Sequence, residues 1–424
     1  MNSYRYSYLI TLGHVVTDIS QGALPALLPF LIVVHDLNYT LAAVIMLANS
    51  VVSAVIQPVF GYLGDKVDRP WFMSLGVVLA ACGIAAMGFA TSYAAVIACA
   101  LLTGIGVALF HPEGGKLANV VAGEKKGAGI SNFSVGGNIG FGIGPVIAVF
   151  AISTWGMRGT LIFLVPAVIT AIVLLLQTAT FHRLTDIEHQ RILTAHTETR
   201  LDDWVGFSKV SLVNICRSII GNAFITFIPL YWMAVLGQPQ EVAALILTVN
   251  AFIGAVATFL GGRVADRLGF KRTILLSIGV LGPLLLIFIF TFNVITATVL
   301  IMFCSFVHSF CHAPMVVMGQ TYLPNRIGFA SGISLGVVVS VGGIASPGIG
   351  RIGDVWGLGV SMGVVCAIAF LGLSIALTLF MGRNAHDGVG DPTKRKFLGD
   401  SAKCNPKEKS PEKPKEQPPE KPSV

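Results

Sequence analysis

The sequence predicts an all-α membrane protein with twelve transmembrane helices in two pseudo-symmetric six-helix halves. Of its 424 residues, 54% are apolar and only 12% charged, whereas a soluble domain carries about 25% charged residues. Residues 37–64, 70–110, 127–157, 159–181, 218–240, 242–262, 273–307, 327–350 and 355–382 contain no Asp, Glu, Lys or Arg. Pieces of the chain also recur at a step of about 201 residues. Gly61, Asp65 and Lys66 return as Gly262, Asp266 and Arg267, His111 and Pro112 return near His312 and Pro314, and Ser131 and Ser134 return near Ser331 and Ser334.

A bilayer core takes about 20 apolar residues per helix, so the shorter charge-free runs are single spans and the two longest are pairs. The 70–110 run breaks at Thr91, Ser92 and Tyr93, and the 273–307 run breaks near Asn293. In chain order the spans are expected at 6–34, 38–60, 71–90, 93–115, 127–150, 159–180, 209–236, 241–261, 273–292, 294–319, 328–350 and 356–381. Only Arg5 precedes the first apolar run and no small-residue cleavage site follows it, so that span reads as retained. The halves occupy 1–180 and 209–382. Between them, 181–208 is expected to be a polar cytoplasmic connector carrying Asp186, Glu188 and Arg191. Residues 383–424, rich in Lys, Pro and Glu from Lys407 to Pro422, are too polar to bury a core and are expected to form a disordered cytoplasmic tail.

Positive charge orients the spans. With a cytoplasmic N-terminus, the external connections hold only Arg158 and Arg351, and Arg217 falls inside a span; the remaining 25 of the 28 Lys and Arg residues lie in internal loops or tails. The positive-inside rule therefore places both termini in the cytoplasm of an inner or plasma membrane. The net charge of +7 is mostly loop and tail charge facing anionic lipid and implies no nucleic-acid partner. Six of the seven cysteines (Cys82, Cys99, Cys216, Cys304, Cys311 and Cys366) fall inside spans, so no disulfide or zinc framework is implied. No metal or other cofactor is expected.

Two related hydrophobic halves are how many secondary transporters are built, with the substrate site between them near the bilayer midplane. The turn after span 2 holds Gly61, Gly64, Asp65, Lys66, Asp68 and Arg69; the turn after span 8 holds Gly262, Asp266, Arg267, Lys271 and Arg272. Both resemble the short loop signature of the major facilitator superfamily, although the first has Asp68 in place of the later glycine and Pro70 in place of a basic residue. That resemblance implies the superfamily's fold and a role for Asp65 and Asp266 in latching the inner end shut on helix ends and neighbouring basic groups. Two ordinary basic turns are the alternative. Span 5 carries Gly136, Gly140 and Gly144 at four-residue spacing and then Pro145, and span 11 ends its own glycine series at Pro347. This predicts close helix packing and a kink, and it resembles a glycine-proline motif of exporters in the superfamily. Phe110, His111, Pro112 and Glu113, together with Gln57, Asn138, Asn325 and Arg326 in their local contexts, resemble the fosmidomycin-resistance family of drug efflux transporters over residues 8–382. Relatives of that kind carry an arginine midway along span 4, where this chain has Ala100.

A charged side chain at the bilayer centre costs about 2.5–3.5 kcal/mol on insertion scales and marks function by default. Asp18 is the acid near a span midpoint, and His14 lies one turn earlier on the same face. Aligning Pro29 with Pro229 puts Ser218 opposite Asp18 and brings Arg217 beside it, so an acid–base pair across the two-fold axis is expected. In this reading Asp18 carries a proton, His14 tunes or relays it, and Arg217 attracts an anionic substrate or competes for Asp18. A fixed Asp18–Arg217 pair is the alternative. His111 and Glu113 near the inner end of span 4, with His308 and His312 in span 10, suggest an inner gate or proton path; plain interfacial side chains are the alternative. The function implied is proton-coupled efflux of a small drug-like or anionic compound by a monomeric antiporter in the lipid bilayer. Import of a metabolite is the rival within the class. An enzyme is not expected, because no nucleophile elbow or zinc-protease helix appears. A sensor would need a folded signalling domain, which the polar tail does not resemble.

The orientation is open to test by single-cysteine labelling in intact cells with an impermeant reagent. A cysteine at 238 should label and one at 195 should not, and the opposite pattern would invert the topology.

Overall fold

The computed structural model describes residues 3–37, 39–194 and 201–381. The chain runs through α1 (Ser3–His35), α2 (Tyr39–Lys66), α3 (Trp71–Met87), α4 (Tyr93–Val121), α5 (Lys126–Trp155), a 3₁₀ turn (Gly156–Phe163), α6 (Leu164–Leu176), α7 (Thr178–Thr194), α8 (Trp204–Ala234), α9 (Gln240–Leu268), α10 (Phe270–Ile289), α11 (Val294–Phe310), α12 (His312–Tyr322), α13 (Ile327–Gly332), a π turn (Ile333–Val337), α14 (Val338–Trp356) and α15 (Leu358–Met381). Ten segments among the described residues are long and apolar enough to cross a membrane. One of them, Lys126–Leu176, holds two expected spans on either side of Gly156, and the shorter apolar helix Trp71–Met87 stands where span 71–90 is expected. No strand occurs among the described residues.

Proline and glycine account for the interruptions. Span 10 breaks at Cys311 into α11 and α12. Pro314, in the first turn of α12, has no N–H to return to the preceding turn. Span 11 is α13, the π turn and α14, with Gly332 and Gly336 pressed onto Gln57 of α2, where an added Cβ would stand 2.6 Å from its atoms. The connector expected over 181–208 is helical at both ends. α7 turns Phe181 into the core shared with Tyr6 and Phe110 while Arg183 and Asp186 stay exposed, so an amphipathic face lay within the polar composition. The tail expected at 383–424 lies outside the described residues.

Lipid offers apolar side chains no refuge from water that they do not already have, so helices here are held by close backbone approach. Gly136, Gly140 and Gly144 of α5 lie on α1, where an added Cβ would stand 2.8, 2.2 and 2.3 Å from the carbonyl oxygens of Thr11, Val15 and Ile19. One apolar core packs the N-terminal half around Leu24, Leu27, Ile84 and Phe163, and another packs the C-terminal half around Tyr231, Trp232, Phe288 and Ile301. A third joins Phe110 and Phe133 to Ala313, Val316 and Val317 of α12.

The halves lock together at the end carrying the two aspartate loops. Asp65 Oδ1 and Oδ2 accept from the backbone N–H groups of Gly328 and Phe329 at 2.7 and 2.8 Å. Asp266 accepts in the same way from Gly127 and Ala128, both at 2.8 Å. Each carboxylate thus caps a helix N-terminus in the opposite half, where orphan N–H groups and the helix dipole favour an anion. Beside them Gly61 meets Gly328, and Gly262 meets Gly127, so closely that an added Cβ would lie 2.1–2.6 Å from a carbonyl oxygen. The cations within electrostatic reach are Arg326 and Lys116 for Asp65, and Arg263 and Lys125 for Asp266. Of the predicted latch cations, Arg69 and Arg267 are exposed, Lys66 lies over the Tyr62 ring at 4.6 Å, and Lys271 is half-buried.

The packing predicts a sharp contrast on α5. Gly140→Val should lose folded protein, since overpacking costs about 1–3 kcal/mol even where neighbours can yield and here the neighbour is backbone. Gly142→Val should be tolerated, because nothing lies within 4 Å of its added Cβ. Yield and thermal midpoint in detergent check this, and equal behaviour of the two variants would refute the packing account.

Candidate functional site

Two buried polar clusters face one another between the halves. In the N-terminal half, α1 supplies His14 and Asp18 one turn apart and α4 supplies His111; all three are buried. His111 Nε2 lies 2.9 Å from His14 Nε2 and 3.1 Å from Asp18 Oδ1, and His14 Nε2 lies 3.2 Å from Asp18 Oδ2. His14 Nδ1 is 2.7 Å from the Phe133 carbonyl oxygen, which can only accept, so the proton of a neutral His14 sits on Nδ1. Its ring also stacks on Phe133 at 3.9 Å. His14 Nε2 is then an acceptor, and His111 Nε2–H is shared between it and Asp18. One further proton would turn both imidazoles into donors toward the two carboxylate oxygens. Gly137 closes the site from α5, where an added Cβ would stand 2.6 Å from His14 and 2.8 Å from Asp18. The ligand-capable atoms of the three residues lie within 4.8 Å of one another, a spacing a metal ion could bridge. They already serve as each other's hydrogen-bond partners, so the chemistry they offer as they stand is holding a proton.

The C-terminal cluster is cationic. Arg217 of α8 is buried, and its Nε donates to Asn214 Oδ1 at 2.9 Å. His308 Nε2–H donates to the Arg217 carbonyl oxygen at 2.9 Å. His312, at the start of α12, is half-buried and lies within electrostatic reach of Arg217 and His308 in its own half and of His14 in the other.

The expected Asp18–Arg217 pair does not form, which corrects the reading from symmetry. Both oxygens of Asp18 are engaged by imidazoles of its own half, and Arg217 is held by Asn214 one turn back. His111 joins Asp18, whereas Glu113, two residues on, belongs to a separate buried network. Lys116 Nζ lies 3.5 Å from Glu113, 2.8 Å from Asp68 and 2.9 Å from the Gly64 carbonyl oxygen, and Asp68 reaches His182 of α7 at 2.7 Å. Phe133, Gly137, Lys116 and His182 were not singled out as site residues. Also missed was the contact between Asn119 Nδ2 and Gln320 Oε1 at 2.6 Å, which joins α4 to α12. Those two are polar residues within apolar helices and are 201 positions apart, so the repeat step could have paired them.

The comparisons with known proteins agree with this architecture. The chain is 30% identical over 384 residues to the fosmidomycin resistance protein of Escherichia coli (strain K12), covering 89% of this chain and 92% of that protein. It is 31% identical over 385 residues to the uncharacterized MFS-type transporter YfnC of Bacillus subtilis (strain 168), covering 86% and 90%. Among solved structures it resembles the transporter FucP in the outward conformation, with a TM-score of 0.70 at 14% identity over 89% of this chain and 99% of that one. The Major Facilitator Superfamily model matches residues 10–347. The chain therefore belongs to the Major Facilitator Superfamily of transporters.

Proposed function

We propose that this transporter exports a small drug-like or anionic compound in exchange for protons, by alternating access between the bundles 1–180 and 209–382 of a monomer. The observation that carries the reading is the buried His14–Asp18–His111 cluster, whose hydrogen-bond geometry accepts one added proton without rebuilding the site. The E. coli relative's name supports export of a drug. In this reading His312, within reach of His14, couples the proton site to the half carrying Arg217, and the Glu113–Lys116–Asp68–His182 network lies toward the inner end of the proton path. The aspartate latches hold the inner end shut while the cavity opens outward, in an inner or plasma membrane with both termini cytoplasmic. Fosmidomycin resistance conferred on a sensitive host tests the drug-export arm, and counterflow in oriented vesicles distinguishes export from import.

Two expectations follow. Asp65→Asn and Asp266→Asn weaken charge-assisted hydrogen bonds worth about 1.5–3 kcal/mol each. Turnover should therefore fall about tenfold or more in each, with substrate affinity little changed because neither residue touches ligand. Wild-type turnover in both variants would remove the latch. Asp18→Asn should abolish accumulation driven by an imposed pH gradient in proteoliposomes yet preserve substrate exchange, which needs no net proton movement. Uphill transport by that variant would move coupling to Glu113 or the histidines.

A further inference from the structure

Arg217 is a buried cation without a counterion among the described residues. It is only 7% exposed, and among the described residues its guanidinium has one partner, the neutral side-chain oxygen of Asn214. The acid nearest by symmetry, Asp18, is already engaged by two imidazoles of the other half. Ser218 stands where that acid would repeat, so the C-terminal half carries the charge and lacks its complement. A buried guanidinium left this way is costly. Next to it His312 Nδ1 is buried and has no partner among the described residues. Along the same face of α8, at the i, i+4 and i+7 positions, follow Gly221 and Phe224. The His308 imidazole packs against Gly221, where an added Cβ would stand 2.8 Å from it, and the Phe224 ring lies 5.7 Å from that imidazole. The face therefore reads cation, imidazole, aromatic ring.

We propose that Arg217, with His312 beside it, is the subsite for an oxyanion of the transported compound, a carboxylate or a phosphonate-type group. A guanidinium with its terminal nitrogens unengaged suits such groups because it can donate two parallel N–H bonds to two oxygens. The anion supplies the missing counterion, so the empty site pays a desolvation cost that the loaded site does not. This rests on the transport reading above and specifies the chemistry of its substrate.

The test uses purified full-length protein in detergent without anionic lipid, with benzoate and phenylphosphonate as probes and benzyl alcohol as the neutral match. Calorimetry should show at least one of the two anions binding wild type tenfold or more tightly than the alcohol. Arg217→Gln should lose that preference, Arg217→Lys should keep part of it as a point charge, and Arg351→Gln, on the exposed face of α14, should keep all of it. Added phosphatidylglycerol should not compete. The proposal is overturned if wild type binds neither anion or binds the alcohol as tightly, if Arg217→Gln binds like wild type, or if phosphatidylglycerol displaces the probe and so marks a lipid headgroup site. Should Arg217→Gln fail to fold, the wild-type comparison and the Lys variant still decide. Binding needs no gradient, so anion binding without proton-driven transport would sink the coupling reading alone, and the reverse result would sink only the subsite.

Discussion

Each half of the molecule closes on the other by offering a carboxylate to the bare N-terminus of a helix it does not own. Asp65 does this to α13 and Asp266 to α5, with the same two-oxygen, two-amide geometry. Backbone amides cannot be withdrawn or reoriented the way a lysine can, so the contact has essentially one docked position. It also demands that no side chain stand in the way, which is why Gly61, Gly127, Gly262 and Gly328 occupy the crossing points. Two such contacts on one pseudo-axis would serve as the bistable element of the proposed alternating access.

Within this symmetrical frame the polar chemistry is divided unequally. The N-terminal half holds the acid and two imidazoles, together with a second buried network around Lys116, whose counterpart 201 residues on is the apolar Val317. The C-terminal half holds a guanidinium with no acid beside it. Two bundles of one shape thus carry different side chains, and the proposed division of tasks gives protons to one and negative charge to the other. His312 of one lies within electrostatic reach of His14 of the other.

Hydropathy and charge asymmetry were enough to read the helical architecture and its halves, because each membrane span must satisfy its backbone internally and so carries its own signal. The His14 and Asp18 partnership was legible for the same local reason, being one turn apart on a helix. The Asp18–Arg217 expectation failed because symmetry relates positions without joining them. Equivalent residues sit on opposite sides of a two-fold axis and touch only when they lie on it, as Asn119 and Gln320 do. The approach of His111 to Asp18 depends on how α4 crosses α1, and the docking of α7 through His182 depends on a turn geometry; neither has a periodicity to read.

The amide pair on that axis carries a consequence of its own. Asn119 donates to Gln320, and Gln320 donates onward to the Ser331 hydroxyl and the Gly115 carbonyl oxygen at 2.9 and 3.2 Å, all in a dry interface. Parting the halves at this end keeps the Gln320–Ser331 bond but breaks those to Asn119 and Gly115, and only water can replace them. Parting this end is therefore a hydration reaction as much as a mechanical one, and its equilibrium depends on water activity. Solutes excluded from the protein surface, which favour burial, bias the carrier toward the state sealed at this end without touching any site.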